Sequence, residues 1–142
     1  MSHPHPVRDA RRRIQAEHAS VIEGIDACAD AVAEPWDTSR TTDREAVTDG
    51  LHRTFEETGL LETLPAVLAD AVAATDYELR ARPVPAPPSV VVTSRGPVLR
   101  ATIDPGRLVI RFDVFDVVRD SDPDRRPAYR RSNGVRLTVS LE

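Results

Sequence analysis

The sequence predicts an α+β fold, with two to three N-terminal helices packed on one face of a C-terminal antiparallel sheet of about four strands. Three observations carry this. Apolar residues recur every three or four positions through residues 10–75. From about residue 90 they alternate one by one. Between the two rhythms lies RPVPAPP at 82–88, whose prolines favour an extended, semi-rigid crossover.

The first helix is expected from Ala10 to about Ala33. Its apolar stripe is Ala10, Ile14, Val21, Ile25, Cys28 and Val32, with His18 in the one gap. Pro35 should end it, because the residue before proline disfavours helical angles. Residues 35–42 read as a connector. Thr42 with Glu45 resembles a capping box for a second helix over 43–58, with Val47, Leu51 and Phe55 inward and Gly59 as the stop. A third helix should be capped by Thr63 and tolerate Pro65 in its first turn. It buries Leu64, Val67, Leu68, Ala71 and Val72, and ends near Thr75.

The strands follow. Residues 90–93 form a β-rich run and 94–97 a turn. Residues 98–103 put Leu99, Ala101 and Ile103 on one face. Asp104-Pro105-Gly106-Arg107 turns the chain again. A long strand over 108–118 turns Leu108, Ile110, Phe112 and Val114 to one side, and a bulge near Phe115 would restore burial. Residues 120–134 read as a loop. Residues 135–142 close the sheet with Val135, Leu137, Val139 and Leu141 inward.

At 142 residues the chain suits one domain. The expected layout is a single domain over 1–142, made of a helical layer at 1–80, a crossover at 81–88 and a sheet layer at 89–142. Neither half is large enough to bury a comfortable core alone. The lone cysteine, Cys28, cannot form an internal disulfide, which fits a reducing compartment. No apolar run is long enough to cross a bilayer, and residues 1–6 lack a signal pattern, so a cytoplasmic location with no membrane partner is expected.

All 19 basic residues are arginine, and the acids are 14 Asp and 9 Glu. The charge is uneven. Residues 1–80 hold 8 Arg against 16 acids, and residues 81–142 hold 11 Arg against 7 acids. The absence of lysine and the excess of Asp resemble proteins of halophilic archaea, with an actinobacterial origin as the competing reading. The segment TSRGPVLRAT at 93–102, followed by a strand rich in Val, Ile and Arg, resembles a family of short uncharacterised proteins of halophilic archaea. That resemblance covers about a third of the chain and implies origin and fold, with no activity to carry over.

Arginines dominate the candidate sites. Arg125, Arg126, Arg130 and Arg131 flank Tyr129 in DPDRRPAYRRSNG, a pattern that can grip phosphate and stack a base, set against a plain solvated loop balanced by Asp120, Asp122 and Asp124. Arg95, Arg100, Arg107, Arg111 and Arg136 can share the wet face of the sheet and meet an acidic partner or nucleic acid, set against an ordinary exposed face paired with Asp113 and Glu142. His18 and Cys28 lie about 15 Å apart on a helix, too far to share a metal. His3 and His5 lie near the terminus, and His52 is alone on its helix. Asp113 with Asp116, and Glu56 with Glu57, could divide acid and base roles, but no nucleophile, oxyanion hole or phosphate loop accompanies them.

The expected function is a small non-enzymatic binding or protein-interaction domain, without cofactor or metal. Its partner would be another protein or a second copy paired through the first-helix stripe. A nucleic-acid-associated protein is the alternative.

Overall fold

The computed structural model describes residues 4–142. His3 therefore lies outside the described residues. Four helices in the N-terminal half pack on a sheet of five antiparallel strands, one strand more than expected, and the extra strand lies between the second and third helices.

The first apolar stripe forms two helices where one was expected. They are α1 (Pro6–Glu17) and α2 (Ala19–Ala33), and the chain leaves helical angles at His18, φ −123° and ψ 29°. His18 fell in the gap of the stripe, and the break lets the two halves pack on different neighbours. α1 lies against the last helix and the last strand, while α2 lies against the third helix and the centre of the sheet. The break is held from outside. The His18 ring bonds Asp70 at 2.7 Å, and Arg13 grips the same carboxylate at 2.8 Å.

α3 (Arg44–Glu57) is capped by Asp43, whose Oδ1 accepts from the Ala46 N–H at 3.0 Å, so the expected Thr42 cap is displaced by one residue. Gly59, at φ +76°, ends α3 and serves as the N-cap of α4 (Leu60–Ala73). α4 starts a turn earlier than expected. Thr63 lies inside it and donates its hydroxyl back to the Gly59 carbonyl. Pro65 accordingly stands inside the helix, beyond its first turn.

The strands are β1 (Arg40–Thr41), β2 (Val90–Thr93), β3 (Gly96–Ile103), β4 (Gly106–Val118) and β5 (Ala128–Leu141), ordered β1-β5-β4-β3-β2. The connector at 35–42 thus supplies a short edge strand, with Arg40 opposite Arg130 and Thr41 opposite Tyr129. β5 begins at Ala128, so 128–134 is strand, not the expected loop. The turn between β2 and β3 requires Gly96. Its φ is +146°, and a Cβ there would lie 1.9 Å from the Phe112 carbonyl oxygen.

The expected bulge lies at Val114 and Phe115 of β4, where both N–H groups donate to the Arg95 carbonyl, at 2.7 and 3.1 Å. Both side chains are fully buried as a result. The register with β5 shifts there too, because Asp113 faces Arg136 while Phe115 faces Arg131.

Helices and sheet share one core. Ile14, Ile25, Leu51, Phe55 and Leu68 pack in the same buried cluster as Leu99, Ile110, Phe112 and Phe115. Trp36 lies on Phe115 with ring centroids 5.5 Å apart. The α1–α2 stripe imagined as a self-pairing surface is filled from within: Ile14, Val21, Ile25, Cys28 and Val32 are all buried by the chain's own layers.

Candidate anion-binding site

The face of the sheet away from the helices carries the arginines. Leu108, Ile110 and Phe112 of β4 point inward into the core, so Arg107, Val109, Arg111 and Asp113 point out. The register extends this row across the sheet. Thr102 lies beside Arg107, Val109 between Arg100 and Ser140, Arg111 between Val98 and Thr138, and Asp113 beside Arg136. Arg100, Arg107, Arg111 and Arg136 therefore share this outer face. Arg95 stands at its upper rim, in the β2–β3 turn.

Few carboxylates answer them. Arg111 reaches Glu142 at 3.5 Å, and Arg95 stands 3.9 Å from Asp113. Among the described residues, the guanidinium groups of Arg100, Arg107 and Arg136 have no carboxylate within 4.0 Å. Val98 and Val109 are buried on this face although no helix covers it. Long arginine stems lying over short neighbours can do this while the charged heads stay in water.

At the upper end of the face an open cleft of about 800 Å³ lies between the β2–β3 turn and the end of β4. Arg44, Arg95, Arg119 and Arg136 line it, together with Ser94, Asp116 and Tyr129. The β3–β4 pairing starts at Val98 and Arg111, and the last bonds on that side run from Val114 and Phe115 to the Arg95 carbonyl, so beyond Phe115 the end of β4 leaves room for the cleft. A second, smaller cavity of about 380 Å³ lies at the opposite end, beside the crossover. Leu68, Leu79 and Ala101 form its apolar wall, and Arg82, Arg100 and Arg107 its charged rim.

The 125–131 segment is split: Arg125 and Arg126 line one pocket of about 430 Å³ with Arg40, Arg119 and Asp120, and Tyr129, Arg130 and Arg131 point elsewhere. Arg125 pairs with Asp120 at 3.5 Å, and Arg126 is exposed beside it. Arg130 lies on the outer face, 3.9 Å from Asp116. Tyr129 is only 6% exposed and packs in the core, so it offers no stacking surface.

Arg131 turns inward to the helix side and fills the gap in the β4–β5 ladder. Its Nη1 donates to the carbonyls of Val114, Ser132 and Gly134 at 3.1, 2.9 and 3.2 Å. Its Nη2 donates to the Asp26 carbonyl at 3.0 Å and to the Asp26 carboxylate, and its Nε donates to Asp30 at 3.0 Å. One guanidinium thus satisfies the broken ladder and ties α2 to the sheet.

The remaining titratable groups are structural in their contacts. Arg13, then His18, hold the Asp70 carboxyl below the usual carboxylate range. Burial pushes the Cys28 thiol up, against a hydrogen-bond distance of 3.7 Å to Thr58. Asp113 and Asp116 each face an arginine, Arg95 and Arg130 respectively. Among the described residues, no three His, Cys, Asp or Glu side chains converge as metal ligands would.

Sequence reasoning missed Arg44, Arg119 and Ser94 as cleft residues. Arg44 opens a helix and Arg119 follows a strand 75 positions later, and no spacing rule links two such sites. The sequence profile of one family, described as Domain of unknown function (DUF7988), matches residues 8–142. No curated protein and no solved structure matches the chain.

Proposed function

The chain belongs to this family of unknown function, DUF7988, and we propose that it is a non-enzymatic interaction domain whose outer sheet face docks an acidic protein partner. The observation that carries this is the row of arginines on one solvent-facing surface, Arg100, Arg107, Arg111 and Arg136, with only Asp113 and Glu142 beside them among the described residues. An arginine surface of this kind selects partners by charge and speeds their encounter. Nucleic acid is the second reading. It is the weaker one because single-stranded recognition relies on exposed aromatics, and the outer face presents none among the described residues.

The composition supports a host with a salty cytoplasm, in line with the lysine-free, Asp-rich resemblance to halophilic proteins. A single, buried, free thiol supports a reducing compartment. In molar salt the Debye length falls to about 3 Å, so the partner must be held by direct bidentate contacts rather than at a distance.

Polyglutamate and a single-stranded oligonucleotide, each titrated into the full chain at several salt concentrations, test the reading. Polyglutamate should bind, and the triple change Arg100→Ala, Arg107→Ala and Arg136→Ala should weaken it about tenfold or more. Failure of polyglutamate to bind at any salt, or binding that ignores the triple variant, overturns it. Tighter binding of the oligonucleotide transfers the face to the second reading.

A further inference from the structure

We infer that the cleft between the β2–β3 turn and the end of β4 is a separate site, which binds the terminal phosphate of a small phosphorylated molecule. This inference leans on the acidic-partner reading only in that Arg95 and Arg136 border both surfaces. Arg44 and Arg119 line the cleft and lie off the outer-face row, and Arg119 also borders a neighbouring pocket of about 430 Å³ with Arg125 and Arg126.

Four elements far apart in the chain each deliver one guanidinium to this cleft: the first residue of α3, the β2–β3 turn, the residue after β4, and β5. Asp116 is the only acid in its lining, and it stands 3.9 Å from Arg130. Among the described residues, the guanidinium groups of Arg44, Arg119 and Arg136 have no carboxylate within 4.0 Å. Like charges gathered around one cavity repel each other, and a bound anion removes the repulsion. The charge needed selects the ligand. A phosphate monoester carries about −1.5 to −2 at pH 7 and offers three acceptor oxygens, whereas a backbone diester carries one charge. Guanidinium forks match those oxygens two at a time. Ser94, buried at 5% exposure, adds a hydroxyl to the wall. The cavity, about 800 Å³, leaves room for the body of a small molecule beyond its phosphate.

The test is calorimetry and NMR on the full chain at low ionic strength, with inorganic phosphate as probe and dimethyl phosphate as the diester control. Phosphate should bind and perturb the Arg44 and Arg119 side-chain signals, and dimethyl phosphate should bind at least about tenfold more weakly. The double variant Arg44→Ala, Arg119→Ala should lose phosphate binding and keep polyglutamate binding. The double variant Arg44→Lys, Arg119→Lys should fall between, because ammonium groups keep the charge and lose the fork. The variant Arg100→Ala, Arg107→Ala should keep phosphate binding and weaken polyglutamate. Absent phosphate binding, equal binding of the diester, or phosphate binding untouched by loss of Arg44 and Arg119 overturns the inference and leaves the outer-face reading standing. A 5′-phosphorylated oligonucleotide that binds much more tightly than phosphate replaces the small molecule with a nucleic-acid end and also overturns it.

Discussion

Arg130 and Arg131 are neighbours on β5, and they belong to two different regions. Arg130 looks out from the sheet toward Asp116, half-exposed, at 3.9 Å. Arg131 looks in toward the helices and makes six hydrogen bonds, to three carbonyls of the sheet and to Asp26 and Asp30 of α2. The same chemistry serves opposite ends. Inside the bulge a guanidinium replaces missing ladder bonds and crosses between layers. On the outer face the same group is left to solvent and to any anion that arrives. The lesson is that exposure and the count of waiting acceptors decide an arginine's role, and its place in a basic run does not.

That contrast can be broken by mutation. Arg131→Ala should cost the most, about 3 kcal/mol in chemical denaturation, because carbonyls and a carboxylate lose their only shared donor in a part-buried site. A loss below about 1 kcal/mol would mean that water replaces the guanidinium freely, and the inner region would then differ little from the outer. Arg131→Lys should recover less than half of that loss, since one ammonium cannot span three carbonyls and two carboxylates.

A smaller effect is expected where α1 meets α4. Asp70 is held below its ordinary range in the folded state, first by Arg13 and then by His18. A depressed carboxyl contributes stability above its unfolded pKa and loses it as pH falls through the folded value. Asp70→Asn should thus be less stable than the parent at neutral pH, and the gap should close as pH falls below about 4. A gap that stays constant across that window would remove the ion pair from the account of the His18 break. The smallest effect belongs to the outer face. Arg100→Ala with Arg107→Ala should change stability by no more than about 0.5 kcal/mol while weakening polyglutamate binding. A large loss of stability there would mean that the arginine stems over Val98 and Val109 are structural after all.

Legibility followed the strength of local signals. The span of β2, 90–93, is legible to the residue, because a run of valines between turn residues has few other outcomes. Gly59 and Pro35 stopped their helices where expected. The break at His18 was not legible, since a helical stripe with one polar gap reads the same whether or not the backbone bends there. Residues 128–134 read as loop because YRRSN has no alternation. Residues 128–131 are strand because β4 on one side and β1 on the other supply partners, and 132–134 carry the strand across the register shift. Alternation already assigns the arginines at 100, 107, 111 and 136 to the polar side, and the register sets them on one face. The cleft was invisible, because it depends on where β3 stops covering β4.

The sequence by itself determined the two layers, the change of rhythm between them, and most of the residues that face the core, because burial of apolar surface acts through spacing of three to four or of two along the chain. Leu141, expected inward, is 37% exposed, and Tyr129 is buried. Only the tertiary structure decided that Arg131 goes inward, that a two-residue strand closes the sheet, and that Arg44, Arg95, Arg119 and Arg136 meet. Those outcomes depend on distances between residues remote in the chain, which no local pattern encodes.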